Sequence, residues 1–115
     1  MRTFKLIGLL CIIGILGCED FDLHEAVPKC IEKKIKEFRK SWTTCDSGAK
    51  VNRYEFQGME VYVFGPGTCG ADMSATVYDK QCNSLCSLGG FTGNIMCNGV
   101  VFADYATNKI LIWEN

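Results

Sequence analysis

The chain has 115 residues, 48% of them hydrophobic, with twelve basic and thirteen acidic side chains and a net charge of −1. This length fits one domain, and the near-neutral charge excludes the basic composition of a nucleic-acid-binding domain. Eight cysteines in so short a chain indicate an exported protein that is held together by disulfides.

Residues 1–17 have the features of an export signal. Arg2 and Lys5 form a short basic region, and the uncharged apolar run 6–16 is shorter than the roughly 20 residues that span a bilayer as a helix. The following "ILGC" resembles the bacterial lipobox, which implies that Cys18 receives a diacylglycerol and becomes the mature N-terminus. The protein would then be an outer-membrane lipoprotein on the periplasmic or cell-surface face. An ordinary secretory signal that leaves Cys18 as a thiol is the alternative.

The cysteine count agrees with a lipid at Cys18. Cys11 lies inside the signal and leaves with it, and the remaining six cysteines are an even set. We therefore predict three disulfides, for which six cysteines allow 15 connectivities, and we expect Cys30 to tie a helix to the sheet. The six are Cys30, Cys45, Cys69, Cys82, Cys86 and Cys97.

Residues 18–27 are rich in acidic side chains and poor in apolar ones, so we predict a solvated tether. In lipoproteins of the Bacteroidota, an acidic cluster behind the lipidated cysteine resembles a signal for the outer face of the outer membrane, and a plain spacer is the alternative. His24, the only histidine, is expected to be a solvated side chain. The acidic residues are Glu19, Asp20, Asp22 and Glu25.

A helix is predicted after Pro28, which suits the first helical turn. The apolar residues Ile31, Ile35, Phe38 and Trp42 recur at steps of four, three and four, as on one face of an amphipathic helix. The remaining positions of residues 29–41 carry six basic and two acidic side chains. We interpret them as a solvated face, and a patch for phosphates or an acidic partner is the second interpretation.

The later residues are predicted to form antiparallel strands. "VNRYEFQGMEVYVF" reads as a hairpin that turns at Gln57 and Gly58, with Phe56 facing Met59 and with Tyr62 on the opposite, polar side. Further strands are expected in "MSATVYD", around Leu85 and over residues 100–102 and 110–113, the last two joined by a loop. The prediction for residues 28–115 is therefore an α+β domain, one N-terminal amphipathic helix packed on an antiparallel sheet and stapled by disulfides.

The segments "CIEKKIKEF", "YEFQGMEVYVF", "TVYDKQCNSLCSLGGFTG" and "IWEN" follow one another in an order that resembles a family of small Bacteroidota lipoproteins built around domain of unknown function 6970. The resemblance covers most of the chain from Cys30 onward and brings no activity with it. That family often has acidic residues in the loop after the glycines, whereas "NIMCNG" has none, which puts a cation site there in doubt. A looser similarity to cystatin-like and peptidase-propeptide folds concerns the fold alone.

No catalytic residue, cofactor or metal site is predicted. The only histidine lies in the tether, and the acidic residues of the domain are scattered. Zinc on Cys69, Cys82, Cys86 and Cys97 would lack paired C-x-x-C spacing, so disulfides are favoured. We therefore expect a non-catalytic module, held at the membrane by its lipid, that binds a protein or glycan through loops around Thr68 or Phe91. An inhibitor of secreted peptidases with an exposed stapled loop is the alternative.

Overall fold

The structure is a computed structural model that describes residues 23–41, 48–67 and 73–115. Five antiparallel strands form one sheet in the order β4-β3-β2-β1-β7, and β5 and β6 form a separate two-stranded sheet. A mostly antiparallel sheet with one helix of 13 residues agrees with the α+β class. The elements are α1 Lys29–Ser41, β1 Lys50–Phe56, β2 Met59–Gly65, β3 Ser74–Asp79, β4 Ser84–Gly89, β5 Met96–Cys97, β6 Val100–Val101, α2 Phe102–Tyr105 and β7 Thr107–Glu114.

The predicted hairpin is confirmed in position and in register. Gln57 and Gly58 have φ angles of 51° and 78°, the two positive values that a tight type I′ turn requires. Phe56 pairs with Met59, and Tyr54 pairs with Val61. Because side chains alternate between the faces of a strand, this register decides which residues of β1 and β2 meet each core.

One face of the sheet is covered by α1. Ile31 and Ile35 are fully buried against Val51, Tyr62 and Ile112. The apolar stripe predicted for this helix is therefore confirmed at both isoleucines, and Phe38 packs at its margin, whereas Trp42 lies outside the described residues.

The assignment of Tyr62 to a polar, solvent-facing side is wrong. Its ring has no exposed surface and lies under α1, and its hydroxyl donates a hydrogen bond to Glu60 Oε1 at 3.1 Å. Burial, together with the negative charge of Glu60, raises the pKa of the Tyr62 phenol. Both faces of this hairpin are therefore buried in a core, whereas the sequence pattern predicts only one buried face.

The second core lies on the opposite face of the sheet. It contains Phe56, Val61, Val77, Cys97 and Phe102, the last two contributed by the β5–β6 hairpin and α2. Asn98 and Gly99, with φ angles of 50° and 83°, form the turn of that hairpin. The strand expected over residues 100–102 ends at Val101, and the expected loop begins with a short helix.

Residues 23–27 differ from the solvated tether that their composition predicts. Leu23 and Val27 pack against the helix-side core, and the backbone N–H of His24 donates to Ile112 O at 2.9 Å. Glu25 lies 3.9 Å from the Arg53 guanidinium. The imidazole of His24 is exposed, as expected. Among the described residues, no helix is long and apolar enough to cross a membrane.

Candidate functional site

The loop of residues 89–95, which joins β4 to β5, is closed by its own backbone. The N–H of Gly89 donates to Asn94 O at 2.7 Å, and the N–H of Asn94 donates back to Gly89 O at 3.1 Å. Inside this closure, the N–H of Gly93 donates to Gly90 O at 3.2 Å. Phe91 and Thr92 therefore occupy the two central positions of a turn. We call residues 89–95 the stapled loop.

The Asn94 side chain and a disulfide fix the base of the stapled loop. Asn94 Nδ2 donates to Ser87 O at 2.7 Å and to Met96 O at 2.9 Å, while its Oδ1 accepts from the Met96 N–H at 3.2 Å. Cys86 and Cys97, on either side of the loop, form a disulfide with their Cα atoms 5.4 Å apart. The loop is thus held in one conformation before any partner binds, which lowers the entropic cost of binding.

The stapled loop and the chain beside it carry an exposed apolar surface. Phe91 is 88% exposed, Ile95 61%, Met96 43% and Met73 41%. Met73 directly precedes Ser74, which pairs with Gly89 at the start of the loop. We call these four residues the apolar patch. Of the five exposed large hydrophobic residues in the described part of the chain, the patch holds four.

The segment that carries Phe91, Ile95 and Met96 is free of charged side chains. Residues 81–103 contain no aspartate, glutamate, lysine or arginine, although such residues make up 22% of the sequence. Depletion of charge together with exposed aromatic and methionine side chains is the composition found at the centre of protein–protein interfaces. The stapled loop therefore has both the rigidity and the surface chemistry of a contact site.

A polar cleft of about 640 Å³ lies at the turn end of the β1–β2 hairpin. Its charged lining residues are Glu55, Glu60, Asp79 and Lys80, and Tyr105 from α2 forms part of its wall. The Asp79 carboxylate accepts hydrogen bonds from the backbone N–H groups of Gln81 and Asn83, both at 2.9 Å. The bond from Asn83 is the main cause that lowers the pKa of Asp79 below its usual range. Asp79 thus shapes the β3–β4 turn and stays ionised, which makes it a poor proton acceptor.

Four of the six predicted disulfide cysteines lie in the described residues, and they form two pairs. Cys30 of α1 is bonded to Cys82 in the β3–β4 turn, with their Cα atoms 6.2 Å apart, so the helix is tied to the sheet through this cysteine as expected. Cys86 is bonded to Cys97. A zinc site on Cys69, Cys82, Cys86 and Cys97 is incompatible with this structure, because the last three of these cysteines are in disulfides. Within residues 23–41, 48–67 and 73–115, no group of three or more His, Cys, Asp or Glu is placed to hold a metal ion.

The remaining predicted site residues divide into two groups. Phe91 projects into solvent instead of folding back into the core. Cys18, Cys45, Thr68 and Cys69 lie outside the described residues. Sequence reasoning missed Ile95, Met96 and Asn94 as parts of the same surface. The Asn98-Gly99 dipeptide is a signal that could have found them, because Asn-Gly is a strong mark of a hairpin turn. A turn there places Met96 and Cys97 on a strand, and that strand ends the preceding loop.

A family of known sequences matches most of the chain. The family described as Domain of unknown function (DUF6970) matches residues 37–115, which include every strand of the fold, the stapled loop and the cleft. No curated protein and no solved structure matches the chain.

Proposed function

We propose that this chain, which belongs to the family Domain of unknown function (DUF6970), is a non-catalytic interaction module that a lipid on Cys18 anchors in the outer membrane. The module binds another protein of the cell envelope through the apolar patch on the stapled loop. The observation that carries the proposal is Phe91, an aromatic ring 88% exposed at the tip of a loop fixed by Asn94 and a disulfide. Exposed aromatic anchors on rigid supports are typical centres of binding energy.

A protein partner is favoured over a glycan by the character of the patch. Phe91 is accompanied by Met73, Ile95 and Met96, aliphatic and thioether side chains that gain free energy by leaving water. Sugar hydroxyls would need hydrogen-bonding partners that these side chains do not provide. A glycan ligand fits better in the polar cleft, and binding of a glycan by the stapled loop would contradict this part of the proposal.

Inhibition of a secreted peptidase is the second candidate function, favoured by the disulfide beneath the loop. A segment that enters a peptidase active site like a substrate takes an extended backbone, which pairs with the enzyme as an added strand. The hydrogen bond from Gly93 to Gly90 instead folds the loop tip into a turn. We therefore place inhibition second, and titration of the protein against a panel of peptidases would test it.

The non-catalytic part of the proposal is supported by the chemistry of the cleft. General acid–base catalysis near neutral pH uses a side chain whose pKa lies close to that pH. The pKa of Asp79 is shifted away from neutrality, and His24 lies on the segment that docks beside β7. Turnover of a peptide, ester or glycan by the purified protein, abolished by a point substitution in the cleft, would refute this part.

We expect Phe91→Ala to weaken binding to the envelope partner by about tenfold or more, since truncation of a central aromatic anchor commonly costs over 1 kcal/mol. The partner is first captured from envelope extracts on the immobilised wild-type protein and identified. Its affinity for wild type and variant is then measured by titration.

Tyr105→Ala is the matched control for this measurement. Tyr105 is also an exposed aromatic residue, at 58%, but it lies in the wall of the polar cleft. It should leave the affinity unchanged. Equal losses for both variants would place the contact elsewhere, and no loss for Phe91→Ala would remove the apolar patch as the binding surface.

The lipid anchor has its own test. Cells that express the protein are fed a labelled fatty acid, and the wild-type chain should become labelled while Cys18→Ser should not. Stable anchoring takes more than one acyl chain, so the label should accompany the protein into the membrane fraction. Equal labelling of both chains would end the assignment of Cys18 as the lipidated residue.

A further inference from the structure

The exposed side of α1 carries an unbroken row of lysines. Lys29, Lys33, Lys36 and Lys40 are all exposed and follow one another at steps of four, three and four. At 3.6 residues per turn these positions fall within an arc of about 60°. The buried residues Ile31 and Ile35 lie on the opposite side of the helix. We call these four residues the lysine stripe.

The other basic residues of α1 do not belong to this row. Lys34 Nζ lies 4.6 Å from the centre of the Tyr78 ring, and Arg39 is half-buried. No acidic residue occupies a position of the stripe, since Glu32 and Glu37 lie to either side of it. Helix α1 carries a net charge of +4, whereas the net charge of the mature chain, from residue 18 onward, is −3. Such an asymmetric distribution of charge orients a protein in the field of a charged surface.

The docked segment brings this helix close to the proposed anchor. Residues 23–27 lie on the same face of the sheet as α1 and lead directly into it. Leu23 is five positions after Cys18, so an extended chain spans at most about 18 Å between them. A domain held this near to a bilayer samples its surface at high effective concentration.

We propose that the lysine stripe rests on the anionic lipid headgroups of the membrane that holds the anchor. This inference rests on the proposed lipidation of Cys18. Phosphate headgroups attract lysines near the surface, and the contact orients the domain with α1 toward the membrane. The β5–β6 hairpin, which carries one end of the stapled loop, packs on the sheet face opposite to α1. The apolar patch is therefore left accessible to a partner while the stripe is occupied.

The stripe is tested apart from the anchor with the mature chain, residues 18–115, carrying Cys18→Ser. Sedimentation with vesicles should show binding to mixed phosphatidylcholine and phosphatidylglycerol and none to phosphatidylcholine alone. High salt should release the protein because it screens exposed charges. Each lysine near such a surface contributes about fivefold to the partition coefficient. Lys33→Glu/Lys36→Glu should therefore reduce binding by about 25-fold or more.

The control is Lys50→Glu/Lys109→Glu, which changes the total charge equally at two exposed lysines of the sheet. It should retain most of the binding, as should Phe91→Ala. Equal binding of the two lysine double variants would overturn the proposal, because only the net charge would then matter. Binding to vesicles only after Glu19, Asp20 and Asp22 are replaced by alanine would also overturn it, by showing that the chain's own acidic segment occupies the stripe. So would lysine-dependent capture of an acidic envelope protein without any binding to vesicles.

Because the vesicle assay contains no lipidated protein, its outcome is independent of the fatty-acid labelling of Cys18. If labelling fails and vesicle binding succeeds, the stripe is a membrane-binding surface of an unanchored protein. If labelling succeeds and vesicle binding fails, the anchor stands and the orientation of the domain is not set by the lysine stripe.

Discussion

Cys30→Ala/Cys82→Ala should lower the free energy of unfolding by about 4 kcal/mol. This disulfide joins residues 52 positions apart and so closes a long loop in the unfolded chain. In the chain-entropy account, such a loop restricts the unfolded state by about that amount. For a domain of this size the melting temperature should fall by about 15–30 °C. Urea unfolding in oxidising buffer, compared with the wild type, measures the loss.

The same comparison under reducing conditions is the control. With every disulfide open, wild type and variant should differ by less than about 1 kcal/mol, and any residual difference reports the lost packing of Cys30 against the helix-side core. A variant as stable as the wild type in oxidising buffer would contradict the view that this bond is a main constraint on the fold. The Cys86–Cys97 bond closes a loop of only 11 positions, so its removal should restore less entropy to the unfolded chain and destabilise the domain less.

Phe56→Ala should destabilise the domain by about 3–5 kcal/mol, the usual cost of truncating a buried phenylalanine. Phe56 is 1% exposed, and its ring centroid lies 4.8 Å from that of Phe102. The substitution removes one of the two ring contacts that β1 makes with Phe102 of α2, the other being that of Tyr54. The loss of stability in Phe56→Ala therefore tests how much the second core, under the β5–β6 hairpin, contributes to the free energy of unfolding.

Phe91→Ala is the matched control because it makes the same chemical change at a ring 88% exposed. Its effect on the free energy of unfolding should stay within about 0.5 kcal/mol. Phe56→Leu, which preserves most of the buried volume, should cost less than about 1.5 kcal/mol. A large loss for Phe91→Ala would mean that the ring packs into the domain in solution, and the apolar patch would then lose its anchor.

The helix and the first hairpin could be derived from local pattern. Ile31 and Ile35 recur at the period of a helix, and Gln57-Gly58 stands between two alternating segments, so both elements follow from residues close together in the chain. The even set of cysteines likewise indicates disulfides, and two are present in the part of the chain that the structure describes. Local signals of this kind are reliable because the interactions that produce them span only a few residues.

The number of covered sheet faces could not be derived in the same way. Alternation along a strand shows which side chains share a face, but it does not show what lies on that face. Tyr62 shares a strand face with Glu60, so the pattern predicts polar neighbours for it, yet α1 covers its ring and leaves its hydroxyl beside the Glu60 carboxylate. An amphipathic side chain such as tyrosine fits both environments, and only its tertiary neighbours choose between them.

The sequence by itself determined the class of the fold, its family resemblance, the turn at Gln57 and Gly58, and the presence of disulfides. The tertiary structure alone decided which cysteines pair, that Phe91 faces solvent, and that Met73, Ile95 and Met96 are exposed as well. The physical reason is chain distance. Cys30 and Cys82 are 52 positions apart, and their approach depends on the packing of the whole helix on the whole sheet, a cooperative result that no short segment encodes.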